Sequence, residues 1–439
     1  MKQILYISFC LFSILSFAQQ AQSKTEYTFI PDPNFEQILI DLNYDTGEPN
    51  GKVLTARIAN VTELDVSDKN ISNLSGIQDF VSLISLKCRL NKLTFLDVTK
   101  NKTLTTLDSG SNELTFLDVS KNLILTHLIL DNNLLTSLNV SCNIELIELN
   151  CINNQLTSLN VSKNIYLTKL DCHSNKLTNL DLSKNTALTF LYCAENKLTA
   201  LDLSKNKALV EFYCYDNKLT ALDLSKNKVL AKISCLNNQL TSLDVSKNKN
   251  LTVLHCSHNK LRTLDVTSNK KLANLICSFN QLTDLNISKN KALWTFDCSS
   301  NFLSVLNTSK NKILKHFDCV FNRLKTLDIT KNKSLMEFRC QQNELESIDL
   351  SQNIKLVRFL CDQNKLKNLD LSKNIEILEL SCSSNELTTL NIKNGNNSKI
   401  TYINALNNKN LKCIQIDKVS NPTSRWIKDA DVNFSSSCQ

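Results

Sequence analysis

Apolar and polar positions alternate through most of the chain in one fixed phrase, L-x-x-L-x-C-x-x-N-x-L-T-x-L-D-L-S-K-N-x-x, which recurs every 21 residues from Cys88 to Cys382. Within L-x-x-L-x-C the apolar residues are separated by variable ones, the period of a strand with one buried face. In the copy around Cys193 this alternation sends Leu191 and Cys193 inward and Phe190, Tyr192 and Ala194 outward. The return, Leu198 to Ala208, is too short for a helix and two turns, so extended or 3₁₀ structure is expected on the back, with Leu201 and Leu203 closing the core. A unit of this size cannot bury its apolar face alone, but stacked copies can. The pattern therefore predicts a solenoid with a curved parallel β-sheet on its concave face. Strands about 4.8 Å apart would run along roughly 70 Å of arc.

Stepping by 21 from Cys88 meets fifteen positions without an insertion; thirteen are Cys, and the others are Ser109 and Leu130. Asn stands three residues beyond every one, from Asn91 to Asn385, and a second Asn column runs from Asn101 to Asn374. A looser copy (Val61, Leu64, Val66, Ile71) precedes them, which makes about sixteen repeats. The Asn side chains are expected to bond backbone groups of their own turn and of the adjoining coil. Pro31, Pro33, Pro49 and Pro422 all fall outside the columns, where no ladder hydrogen bond is lost. In-register Cys on parallel strands are too far apart and wrongly directed for an unstrained disulfide. Thirteen buried, reduced thiols acting as small hydrophobes are expected. A line of thiols is no tetrahedron, so the ladder is not expected to hold zinc or any other metal. Cys142 replaces the Lys of S-K-N and is expected to be exposed.

The ends depart from the period. Residues 1–18 carry Lys2, an apolar run and a small residue before Gln19, the layout of a secretory signal peptide. Residues 19–60 are expected to form an N-terminal cap, 61–390 the array and 391–439 a C-terminal cap, since a solenoid needs its terminal cores covered. In the first cap, Pro31 to Leu42 reads as a short helix with Phe35, Ile38, Leu39 and Leu42 on the face toward the first coil. In the last, a Cys413 to Cys438 disulfide is expected to clamp the chain end. No later stretch is long and apolar enough to span a membrane.

The net charge of +8 raises the possibility of a nucleic-acid partner. Eleven of fourteen S-K-N positions carry Lys, but they are spaced as a solvated edge with no interleaved aromatics for base stacking, so no nucleic-acid partner is expected.

With its 21-residue copies and Cys column, the repeat resembles the cysteine-ladder internalins, bacterial leucine-rich-repeat adhesins of the internalin J type. The opening Phe29 to Leu42 and the closing Leu411 to Asp417, with Trp426 and Cys438 beyond, resemble the caps of secreted leucine-rich-repeat proteins of Bacteroidota. The resemblance implies a leucine-rich-repeat solenoid at the cell surface or outside the cell. Internalins of this type usually carry a cell-wall sorting signal and the Bacteroidota proteins often a secretion domain. Neither pattern is met before Gln439, which leaves release, periplasmic retention and a truncated parent as alternatives.

With scaffold positions set aside, the remaining information lies on the outward strand positions. All five His fall there: His127, His173, His255, His258 and His316. Phe190, Tyr192, Tyr213 and Tyr215 come from two adjacent copies and are expected to form one patch, flanked by His173, Glu195, Glu211 and Asp216. Tyr-rich patches with polar rims are typical of protein and glycan recognition. A second cluster is expected from His255, His258, Phe279, His316 and Phe321. His316 would lie about three coils away, roughly 14 Å, so no shared metal site is expected. No Ser, His and Asp set falls on neighbouring copies and no strained nucleophile turn occurs, which argues against an enzyme, and no cofactor is expected. The expected function is a secreted or surface-associated, non-catalytic binding or adhesion protein that recognises an extracellular protein or glycan. The alternative is a structural envelope or matrix spacer.

Overall fold

The computed structural model describes residues 26–438. The segment expected to be a signal peptide lies outside the described residues. Eighteen short strands form one parallel sheet, beginning with Glu63–Asp65 and ending with Trp426–Ile427. Successive strands pair in strict 21-residue register through the array: Glu211 faces Phe190 on one side and Lys232 on the other, and Tyr213 faces Tyr192 and Ser234. That register holds because a one-residue slip would turn the buried Leu and Cys outward. The returns are extended, with isolated parallel bridges at Asp97 to Asp118 and Asn139 to Asn160. Near the C-terminal end they become a second, four-stranded parallel sheet, Asn368–Asp370, Thr389–Asn391, Cys413–Gln415 and Asn433–Ser435. Among the described residues, 3₁₀ turns occur only toward the ends, at Ile77–Asp79 and Asn397–Lys399.

The sheet does not stop at residue 390. Strands Tyr402–Asn404 and Trp426–Ile427 extend it, paired to the strand Glu379–Ser381 and to each other. Ile400, Ile403 and Ala405 repeat the L-x-x-L-x-C spacing with Ala in the ladder position, 23 residues after Cys382, and Asn408 follows three residues later. The Asn408 amide donates to the Cys382 and Ala405 carbonyls at 3.1 and 3.0 Å, as its counterparts do in earlier coils. The Asn394-Gly395-Asn396-Asn397 segment is thus an enlarged return within a continuing coil. Cys413 and Cys438 are joined by a disulfide between that return side and the chain end.

The core is a stack of identical layers. Every ladder Cys is fully buried and unpaired, while Cys142 is exposed. Burial pushes the ladder thiols up, Cys235 to about 12, so they stay protonated. Several donate to the strand of the next coil, as Cys277 Sγ does to the Asp297 carbonyl at 3.4 Å. Toward the C-terminal half the inward Leu before Cys becomes Phe, and Phe296, Phe317, Phe338 and Phe359 stack at 5.5, 5.3 and 5.4 Å between centroids.

The Asn columns hold the turns. The Asn217 amide nitrogen donates to the Cys193, Cys214 and Tyr215 carbonyls at 3.0, 3.2 and 3.2 Å, and its Oδ1 accepts from the Leu198 amide at 2.9 Å. In the second column, Asn227 donates to the Leu203 and Asn206 carbonyls at 3.1 and 2.8 Å, but its Oδ1 has no partner. Immediately before each first-column Asn, from Leu90 to Ser384, the backbone is left-handed, with φ between 49° and 57°. This turn occurs whether the residue is Asn153, Glu195 or Phe279. Such a conformation costs a bulky residue on the order of 1 kcal/mol, which the surrounding stack of hydrogen bonds must offset.

The N-terminal unit covers the first coil. β1 (Tyr27–Phe29) pairs antiparallel with β2 (Lys52–Leu54), and α1 spans Pro33–Asp41. Asp32 caps α1 through Oδ1, accepting from the Asn34 and Phe35 amides, while its Oδ2 accepts from the Ser72 and Asn73 amides and the Ser72 hydroxyl. One carboxylate thus fixes the helix and its seat on the coil. Phe35 and Leu39 are fully buried, Ile38 packs against the core, and Leu42 is exposed. Leu42 departs from the expected face because it is the residue after the last helical turn. Glu36 is buried instead, its carboxylate accepting from the Asn50, Gly51 and Lys52 amides.

Candidate functional site

The outward positions of successive strands form the open face of the sheet. The expected aromatic patch is assembled there. Tyr192 lies 5.2 Å from Tyr213 and 5.7 Å from Tyr215 between ring centroids, and Phe190 lies 5.9 Å from Tyr213. Each ring is half-buried against its neighbours. In-register pairing produces this: Phe190 and Tyr192 sit directly beside Glu211 and Tyr213, so rings on adjacent strands must share one layer.

Polar partners fix the rings. His173 stacks on Tyr192 at 4.1 Å and its Nδ1 lies 2.7 Å from Asp171. The hydroxyls of Tyr192 and Tyr215 are hydrogen-bonded to each other. Tyr213 donates to Glu211 at 2.8 Å, and Lys232 pairs with the same carboxylate at 3.0 Å. Burial, reinforced by the Glu211 carboxylate, pushes the Tyr213 phenol up to about 12. Burial also acts to raise Glu211, but the hydrogen bonds from Lys232 and Tyr213 outweigh it and hold the carboxyl below its usual value.

Ala194, expected to point outward, is fully buried. It lies between His173 and Tyr215 in the same column, and Tyr192, stacked on the first and bonded to the second, roofs it over. Glu195 and Asp216 occupy the left-handed turn, on the rim beyond the strands. They bond along that rim, Glu195 accepting from the Ser174 hydroxyl at 2.7 Å and Asp216 from the Asn237 amide.

The second expected cluster separates into parts. His258 and Phe279 stack at 4.2 Å with an interplanar angle of 11°, both on the left-handed rim. Phe321 is on that rim too, and exposed. His255 and His316 lie on the strands. Burial lowers the His255 pKa, and its Nε2 is buried without a hydrogen-bond partner. His316 meets Trp294 edge-on at 6.0 Å and lies 3.6 Å from Glu337. Rim and strand positions recur with the same period but belong to different surfaces, so spacing alone merged them.

Charged residues on the face were missed by a reading that singled out aromatics and His. Lys169 lies 5.8 Å over the Phe190 ring and pairs with Glu148 at 2.6 Å. Asp318 is in register with Asp297, and burial, with that neighbouring carboxylate, pushes it up to about 6. Arg89 reaches across a whole coil to grip Asp131 through two bonds of 2.8 and 2.7 Å. Gly110 lets it pass, since an added Cβ there would lie 2.5 Å from Asp131 Oδ1 and 2.7 Å from Arg89 Nη1. All these residues occupy outward positions, so the signal was the position itself.

Together, the open parallel sheet, the columns of Leu, Cys and Asn and the short extended returns define a leucine-rich-repeat protein. Among solved structures, the chain is similar to the functional domain of InlJ from Listeria monocytogenes, which includes a cysteine ladder. The two are 34% identical over 85% of this chain and 79% of that one, with a TM-score of 0.72. The chain belongs to the cysteine-ladder internalin family of leucine-rich-repeat proteins. It shares its fold with a leucine-rich-repeat protein of Leptospira interrogans, at 24% identity over 76% of this chain and 92% of that one, with a TM-score of 0.69. The fold also recurs in the plant peptide hormone receptor RGFR1, solved in complex with RGF2. That likeness has 18% identity over 83% of this chain and 63% of that one, with a TM-score of 0.70. No protein-family model and no curated protein matches the chain. Among the described residues no helix is long and apolar enough to cross a membrane.

Proposed function

We propose that this chain is a secreted, non-catalytic binding protein that holds an extracellular protein or glycan against the open face of its sheet. The observation that carries this reading is the contiguous cluster of Phe190, Tyr192, Tyr213 and Tyr215, half-exposed on two adjacent coils and edged by His173 and Glu211. Rigid aromatic rings lose little conformational entropy on binding and supply large contact areas, and the cluster is held in place before any ligand arrives. Structural neighbours that include a peptide hormone receptor support a binding role for the fold.

One feature favours a second reading. The Tyr192 and Tyr215 hydroxyls satisfy each other, as they would if the rings served only to brace neighbouring strands of a stiff spacer. The test is a screen of the chain from Gln19 against glycan and extracellular-protein arrays beside the Tyr213→Ala/Tyr215→Ala variant. A hit that the variant loses while its thermal unfolding is unchanged supports recognition by the patch; the absence of any hit, or a hit indifferent to the variant, supports the spacer.

A further inference from the structure

The S-K-N turns lead into the strands, on the edge opposite the left-handed rim. Lys fills eleven of their fourteen middle positions along the array. Two residues later a further Lys column runs unbroken through seven consecutive coils, Lys207 to Lys333; elsewhere the same position holds a single Lys, Lys102, and otherwise Leu, Ile or Thr, as at Leu123, Ile144, Ile354 and Ile375. Thirteen lysines of the two columns therefore line these seven coils, every one exposed and none in an ion pair among the described residues.

In most of these coils an Asp precedes the first Lys by three residues, as Asp223 precedes Lys226. At Asn286 and Asn307 that carboxylate is replaced by a neutral amide which makes the same turn bond, to the Ser288 and Ser309 amides. The turn is kept and the negative charge is gone. At this place lies a surface cavity of about 460 Å³ lined by Lys270, Ser288, Lys289, Lys291 and Lys310.

We propose that this ridge binds a linear acidic polysaccharide carrying a carboxylate or sulfate on each sugar, with its strongest contact between Lys270 and Lys310. A compact anion would need cations converging on a point. Here they recur in line at the strand spacing of about 4.8 Å, which suits an extended chain with one anionic group per monomer. The column after the second Lys (Ala208, Val229, Asn250, Lys271, Ala292, Ile313) offers no aromatic ring on which a base could stack, which disfavours single-stranded nucleic acid. This surface is separate from the Tyr patch, and its occupancy does not depend on that patch.

The experiment measures binding of the full chain to polygalacturonate, dextran sulfate, neutral dextran, double-stranded DNA and phosphatidylglycerol vesicles. The expected result is binding to one or both acidic polysaccharides and not to dextran, falling at least about tenfold between about 50 and about 200 mM salt. Lys289→Glu/Lys291→Glu/Lys310→Glu lowers that affinity by about a hundredfold, and Lys121→Glu/Lys163→Glu/Lys184→Glu, in coils with no second Lys, leaves it within about twofold. Tyr213→Ala/Tyr215→Ala leaves it unchanged. If the first triple variant unfolds, the corresponding Lys→Gln triple carries the comparison. The proposal is overturned by no binding, by equal losses in the two triple variants, or by tighter binding to DNA or to the vesicles.

Discussion

Asn217 and Asn227 stand ten residues apart in one coil, both buried, and each belongs to a column repeated through the array. Asn217 uses everything its carboxamide offers, giving three hydrogen bonds and accepting one. Asn227 gives two and leaves its oxygen without a donor, as do twelve other members of its column. The exception is Asn332, whose oxygen accepts from the Thr308 hydroxyl at 2.7 Å, where other coils have Val, Leu or Ile. The difference follows from the neighbours. The first column faces a turn whose backbone amides are free, and the second faces carbonyls on one side and the apolar core on the other. A buried amide is thus retained in the second column for its donors alone, at the expense of an unsatisfied acceptor.

The largest test of this contrast is deletion. Asn217→Ala removes a donor from three carbonyls that each keep one other and leaves the buried Leu198 amide without an acceptor, at an expected cost of about 3 kcal/mol, whereas Asn227→Ala removes a donor from two carbonyls that keep another, strands no amide and deletes an unpaired oxygen, and should cost about 1–2 kcal/mol. Urea unfolding midpoints decide it; equal losses would show that the orphaned oxygen has no energetic weight. Next in size is the effect on the thiols between the columns. In the native protein only Cys142 should react rapidly with a thiol reagent, and all fourteen free cysteines of the described chain should react after denaturation. Asn217→Ala should speed labelling of Cys193 and Cys214 by at least about tenfold, since it loosens the turns whose carbonyls flank them, and Asn227→Ala should do less. Ladder thiols in the unaltered protein that label as fast as Cys142 would contradict the packing itself. The smallest effect is the most specific. Thr308→Val should lose about 1 kcal/mol, and Val245→Thr, which places a hydroxyl near the Asn269 oxygen, should gain no more than about 1 kcal/mol. A loss from Val245→Thr in thermal unfolding would mean that the oxygen is better left dry.

The columns were legible in the sequence because every coil solves the same packing problem with the same residues. The continuation beyond Asn385 was not, since two extra residues and the change from Cys382 to Ala405 broke the period while Ile400, Ile403 and Asn408 kept its logic. The left-handed turn was hidden for the opposite reason. Leu90, Glu195 and Phe279 share no chemistry that announces it, and stacking imposes the conformation from outside the residue. For the face, alternation alone brought Phe190, Tyr192, Tyr213 and Tyr215 together. It could not show that Tyr192 would cover Ala194, or that His258 turns onto the rim while His255 stays on the sheet. Those outcomes depend on side-chain reach across neighbouring strands, which spacing does not encode.

The strict 21-residue register has a hereditary consequence. Each coil presents to the next the same backbone and Asn-column acceptors and donors that it receives from the one before, so a gene segment encoding one repeat can be duplicated or lost between interior coils with those bonds still matched, although coil-specific pairs such as Arg89 with Asp131 would be broken by a change between them. The protein can change length in whole-coil steps through unequal recombination. Coils joined to the Asp32 carboxylate or to the Cys413 to Cys438 disulfide are the ones that this route cannot freely exchange.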